Sequence, residues 1–212
     1  MSNNSNYNDN SGKLAGRLTN IVLLGFFSTV CSLPVVTIGA ALTALNVATK
    51  AYMYEGDDKP LRIYFASFKK HFSLSTRIWL LHILAYAVLI WDYVYYRTSD
   101  STLDILASLG IFLTFAFLVF ETTMVFVVIA EEKSSKVFET IKIALDIAMT
   151  SPMRSAMILF LEVAVIVVSL IIFRGLLLIV PGIVSFLAWQ IIPEMLKNYK
   201  FRNSERSNSE SL

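Results

Sequence analysis

Charge is scarce in this chain of 212 residues: 16% of positions are Asp, Glu, Lys or Arg, while 56% are hydrophobic and the mean hydropathy is +0.63. That balance lies outside the soluble norm and assigns most of the chain to a bilayer. Cysteine is reduced to Cys31, which excludes an internal disulfide framework. Two histidines and one cysteine offer no metal-ligand spacing, and the eight glycines form no phosphate loop. No Ser or Cys has a recognisable base at motif distance. The expectation is therefore no metal, no cofactor and no enzymatic activity, and any ATP-driven role would need a partner ATPase. A net charge of +2 is too small for a nucleic-acid partner, so the placement of the basic residues matters more than their number.

What is present is a series of long apolar runs. Residues 1–13, rich in Asn and Ser, read as a disordered cytoplasmic tail, and 203–212 as a second one. No small-x-small cleavage site precedes Pro34, so the first helix is expected to be retained. Between the tails lies one membrane domain, 14–202. A first crossing covers about 14–33, and the stretch 32–39 (Ser-Leu-Pro-Val-Val-Thr-Ile-Gly) breaks the apolar run before a shorter segment at 40–54. Pro34 removes a helix donor and Gly39 permits a turn, so Pro34, Thr37 and Gly39 form a bend at membrane depth, where freed backbone groups must find partners inside the protein. Two full spans and a re-entrant hairpin both fit residues 14–54.

Further crossings are expected at 75–95, 105–130, 152–173 and 176–195, giving an all-α bundle of about six crossings arranged as three helix hairpins. The third ends in the aromatic belt Trp91, Tyr93, Tyr95 and Tyr96. Two short amphipathic helices lie between crossings. One has Leu61, Tyr64, Phe65, Phe68 and Phe72 on a face opposite Arg62, Lys69, Lys70 and His71, and reads as interfacial with its basic side towards headgroups, or as a connector. The other, at 135–149, places Val137, Phe138, Ile141, Leu145 and Ala148 on one side.

With six crossings and a cytoplasmic N-terminus, 16 of the 18 Lys and Arg fall inside and only Arg97 and Arg174 outside. A single crossing over 14–54 would reduce that to 14 against 4. Pro34, Lys50 and Tyr52 recur 147 residues later as Pro181, Lys197 and Tyr199, a weak internal repeat.

Polar and ionisable residues within crossings are costly and are functional candidates by default. They are Asn46, His82, Glu121, Glu162 and Gln190, all at mid-depth or in the cytoplasmic half. Helical spacing puts Thr43, Asn46 and Lys50 on one stripe, His82, Tyr86 and Tyr93 on a second, and Ser155, Glu162 and Ser169 on a third. Two readings fit: a polar cavity open to the cytoplasm, where Glu121 and Glu162 bind solute or relay protons, or hydrogen-bonding glue between helices.

The run from Ser32 to Ala44 (Ser-Leu-Pro-Val-Val-Thr-Ile-Gly-Ala-Ala-Leu-Thr-Ala), followed by an acidic turn and the Phe-rich segment from Tyr64 to Phe72, resembles the YesL-like family of small bacterial integral membrane proteins. The resemblance covers roughly 16–200, the later crossings matching mainly in pattern. It implies a multi-pass protein of the bacterial cell membrane and a genomic setting beside carbohydrate ABC transporters and glycan-degrading enzymes. It carries over no catalytic residues. The implied role is an accessory one in carbohydrate uptake, with an ABC permease as partner; the alternative is a small solute carrier using the polar cavity.

Overall fold

The computed structural model describes residues 16, 19–56, 59–97, 101–131, 133–172 and 178–210, which are mostly helical with no strand among them. The N-terminal tail and the expected turn at Arg174 and Gly175 lie outside these residues. In chain order the helices are α1 (Thr19–Cys31), α2 (Ile38–Lys50), α3 (Pro60–Arg97), α4 (Thr102–Ala130), α5 (Val137–Thr150), α6 (Pro152–Ile172), α7 (Val180–Ala188) and α8 (Ile192–Glu210). A 3₁₀ turn, Val35–Thr37, leads into α2, and a π turn, Ala51–Glu55, leads out of it. Gly56, at φ 69°, closes that turn in the left-handed region that glycine enters without steric cost.

Four helical stretches are long and apolar enough to cross a membrane: Val35–Glu55, Pro60–Tyr96, Leu103–Ala130 and Pro152–Ile171. Of the other two expected crossings, the described residues of α1 extend about 20 Å at 1.5 Å per residue and those of α7 about 13 Å, so neither described stretch by itself reaches across a hydrocarbon layer of about 30 Å.

The interior is built round α2. Its alanines at 40, 41, 44 and 48 have no exposed surface, and such small side chains let α3, α4 and α7 approach closely. Over half of its apolar window is buried, 56%, against 6% for α4. The α4 helix divides along its length: Phe120 and residues 124–129 are buried in one cluster with Ile78, Ile147, Ile158, Trp189 and Met195, while Leu103, Phe112 and Leu113 face outwards. The packed core thus sits at the end where α2 and α4 finish and α5 and α8 dock, and the α3–α4 pair projects beyond it as an apolar arm.

The structure corrects several expectations. The segment 61–72 is not a separate interfacial helix; it is the first third of the 38-residue α3, because nothing between Phe72 and Ser75 breaks the helix. Its aromatic face packs on protein: Tyr64 is fully buried with Leu24, Ala44, Leu45 and Ala48, and Phe65 meets Phe27 edge-on at 5.6 Å. In α5 the buried residues are Thr140, Ala144, Ile147 and Ala148, so the inward face is rotated from the expected one and Phe138 points out. The expected sixth crossing is interrupted at 189–191, between α7 and α8. Finally, α8 continues over 203–210, where a disordered tail was expected; once its first turns are docked on α5, each further residue adds to the helix at little cost.

The bend at 32–39 also differs in mechanism. Thr37 Oγ1 donates to the carbonyls of Cys31 at 2.5 Å and Pro34 at 2.7 Å, capping the end of α1, and Trp79 Nε1 on α3 donates to Val35 O at 2.6 Å. The freed backbone is therefore satisfied inside the protein, as membrane depth would require. Gly39, by contrast, is an ordinary helical residue and turns nothing. A Cβ there would lie 2.6 Å from Ser75 O and 2.7 Å from Trp79 Cβ, so its role is close packing of α2 on α3. Gly25 and Gly182 play the same part between α1 and α7, where a Cβ on either would meet the other helix's backbone at 2.6 to 2.7 Å.

Candidate functional site

The five polar residues singled out in the crossings do not form one site; they divide into two clusters and one surface position. In the first cluster, His82 and Glu121 are each 3% exposed, and His82 Nε2 lies 2.5 Å from Glu121 Oε2, joining α3 to α4. His82 Nδ1 donates to Ile78 O at 2.8 Å. With Nδ1 committed as donor, the short contact at Nε2 needs one further proton, on the imidazole or on the carboxyl, so the pair holds a proton between two helices. The other oxygen, Glu121 Oε1, is buried and has no hydrogen-bond partner among the described residues.

The next two residues of α4 extend this cluster. Thr122 Oγ1 donates to Leu118 O and accepts from Tyr86 OH, both at 2.7 Å, and Thr123 Oγ1 donates to Glu162 Oε1 of α6 at 2.7 Å. The three consecutive residues Glu121, Thr122 and Thr123 thereby hold α3 and α6 to opposite sides of α4. Glu121 lies nine residues before Ala130, or about 14 Å along the helix from its end.

The second cluster joins α2 to α7. Asn46 Oδ1 accepts from Trp189 Nε1 at 3.0 Å and from Ser185 Oγ at 3.3 Å, while its Nδ2 donates to Leu42 O. Ser185 Oγ also lies 3.1 Å from Thr49 Oγ1, and Tyr54 OH donates to Trp189 O at 2.6 Å. Every polar group of Asn46 is thus used within the protein. Gln190, one residue after Trp189, is exposed. The expected stripes are likewise shared out: Thr43 bonds Ser75 at 2.8 Å, Asn46 faces α7, and Lys50 pairs with Glu131 at 2.8 Å.

Residues 18–93 match the model of a family described as "Protein of unknown function, DUF624". No curated protein and no solved structure matches the chain. The matched stretch takes in the bend, α2 and nearly all of α3, and so includes Asn46 and His82 but not their partners Ser185, Trp189 and Glu121.

Sequence reading missed Thr122, Thr123, Ser75, Ser185 and Trp189. Apolar runs tolerate hydroxyls without any signal, because a Ser or Thr can bond the carbonyl one turn back in its own helix. The only available cues were the adjacency of Thr122 and Thr123 to Glu121 and the four-residue spacing of Ser185 and Trp189.

At the basic end of the bundle, Lys133 Nζ is buried 4.8 Å over the Tyr199 ring. Burial holds its ammonium below the usual lysine range; Glu131 opposes that shift, and the neighbouring charges of Lys200 and Lys50 add to it. Arg154 and Glu194 approach to 3.7 Å on the outside of α6 and α8, an exposed pair worth little.

Proposed function

We propose that this protein is a non-enzymatic, multi-pass protein of the bacterial cell membrane that assists or regulates carbohydrate uptake as the accessory partner of an ABC permease. The observation that carries this reading is that the polar side chains buried in its apolar helices are taken up mainly by one another: Asn46 by Ser185 and Trp189, His82 by Glu121, Glu162 by Thr123. Such groups fix helices against each other. Beyond the basic first half of α3, the outward faces of α3, α4 and α6 are largely apolar, with Leu84, Trp91, Phe112 and Phe160 exposed, and provide surface for lipid and for a permease. The YesL-like resemblance supplies the transport setting, and its specific residues fall in the stretch that the unknown-function family also matches.

In this reading α1 and the α7 segment complete six crossings with both termini cytoplasmic, which places 16 of the 18 Lys and Arg inside. The test is affinity purification of the tagged protein from its native membrane in mild detergent. A carbohydrate permease should co-purify, and deletion of this protein should slow growth on the corresponding glycan only when that permease is present. Recovery without any permease, together with unchanged growth on every glycan tried, would refute the role.

A second reading, a small solute or proton carrier, rests on one specific observation: Glu121 Oε1 is buried without a partner beside a histidine that shares a proton with the same carboxyl. A carboxyl so placed is a candidate for ion or proton exchange.

A further inference from the structure

At the end of the bundle where α2 and α4 finish, their last residues and the start of α8 line a pocket of about 360 Å³. Its walls are of two kinds. Tyr54, Trp189, Pro193 and Leu196 make an aromatic and aliphatic floor, and Lys50, Lys197 and Lys200 stand round it, with Glu131 as the one carboxylate in the lining. Glu131 is already paired with Lys50 at 2.8 Å. Neither Lys197 nor Lys200 has a carboxylate partner among the described residues, and both side chains are exposed. Lys133 adds a further cation close by, near enough to Lys50 and Lys200 for their charges to act on it. Three lysines against one glutamate in a single lining leave a net charge of +2, counted from the lining residues. The repeat-related pair Lys50 and Lys197, 147 positions apart in sequence, converges on this same pocket.

Like charges gathered round one pocket repel one another, and Glu131 compensates only one of the three. A phosphate oxyanion would supply the missing negative charge, bridging the ammonium groups of Lys197 and Lys200 that protein carboxylates leave unmatched and reaching Lys50 beside them. The floor says what else the ligand carries. A free phosphate gains nothing from Trp189, Tyr54 and Leu196, whereas the glycerol backbone and first methylenes of a lipid would cover them. The position favours the same source, since the pocket opens at the ends of helices whose apolar stretches stop at Glu55 and Ala130.

We infer that this pocket is a binding site for the headgroup of an anionic phospholipid, with its phosphate held between Lys50, Lys197 and Lys200 and its backbone on the aromatic floor. The site is independent of the accessory role and would exist in a carrier as well.

The test uses the full chain purified in neutral detergent, titrated with short-chain phosphatidylglycerol, with phosphatidylcholine of the same chain length, and with glycerol 3-phosphate. Phosphatidylglycerol should bind at least ten-fold tighter than phosphatidylcholine. A lysine near an anionic surface is worth about 1 kcal/mol, so Lys197→Gln with Lys200→Gln should weaken phosphatidylglycerol about 30-fold, and Lys200→Gln alone about five-fold. Lys136→Gln with Lys142→Gln, exposed positions at the N-cap of α5 and within it, outside the pocket, should leave affinity within two-fold. All four are exposed lysines, so the variants should keep the parent's melting temperature. Equal affinity for the two lipids, or undiminished binding in the Lys197 and Lys200 variant, would overturn the site. Glycerol 3-phosphate binding as tightly as phosphatidylglycerol would overturn the assignment to lipid.

Discussion

Gly39→Ala adds one methyl group where α2 and α3 pack closely, and the neighbouring atoms define what that methyl must displace. Its Cβ would stand 2.6 Å from Ser75 O and 2.7 Å from Trp79 Cβ, and ordinary contact begins near 3.4 Å, so α2 and α3 must part by about 0.8 Å. Neither obstacle is the end of a flexible side chain: one is a backbone carbonyl and the other is the root of a Trp whose indole is bonded to Val35 O. Separation would also stretch the 2.8 Å Thr43–Ser75 hydrogen bond, since Ser75 belongs to both contacts. Overpacking of this kind costs about 1–3 kcal/mol, and an interhelical hydrogen bond inside a membrane protein about 0.6 kcal/mol. The expected loss is roughly 2–3 kcal/mol, measured by reversible unfolding in mixed micelles. Gly110→Ala is the matched control, because a Cβ at that position on α4 meets nothing within 4 Å and alanine is the better helix former. It should be neutral or slightly stabilising. Equal stability of the Gly39 and Gly110 variants would mean that α2 and α3 do not approach as described.

Removing one partner of the buried His82–Glu121 pair strands the other, so His82→Phe should cost about 3–5 kcal/mol while His82→Phe with Glu121→Leu recovers much of it; a double variant as unstable as the sum of the singles would exclude the pairing. Lys133 binds its proton less readily folded than unfolded, so between its lowered value and the ordinary 10.5 the unfolded chain holds more protons and stability should rise with pH. Lys133→Met should flatten that rise in melting temperature measured from pH 8 to 10.5, and an unchanged slope would assign it to other groups. In a Cys31→Ser background, Lys59→Cys should be labelled only from the cytoplasmic side and Asp100→Cys only from outside; external labelling at position 59 would overturn the six-crossing scheme.

The apolar helices themselves were legible, because runs such as 105–130 carry no competing signal and Pro152, preceded by Ser151, starts α6 where the sequence places it. The stop at 55–60 was equally plain from Gly56 and Pro60. What failed were inferences about faces. Phe65 and Phe72 follow helical spacing with Tyr64, yet only Tyr64 is fully buried, because in an apolar chain the inward side is chosen by small residues and hydrogen bonds more than by hydrophobicity. The same limit applies to the polar residues. Their depth was readable one helix at a time, but whether Glu121 meets His82 or Glu162 depends on how α4 is rotated between α3 and α6, and an almost uniformly apolar helix carries no periodicity from which to read that. Gly39 was recognised as necessary for a different reason from the true one: Gly marks close approach and turns alike, and only the neighbour at 2.6 Å separates them.

On the proposed function, the buried polar groups hold the bundle together and do not move solute. This is tested most directly by flux into vesicles reconstituted with the purified protein alone, using radiolabelled oligosaccharides and a pH-sensitive dye. Uptake and proton movement should be no faster than in empty vesicles. Flux well above that background, abolished by Glu121→Gln in a variant that still folds, would contradict the proposed function and establish the carrier.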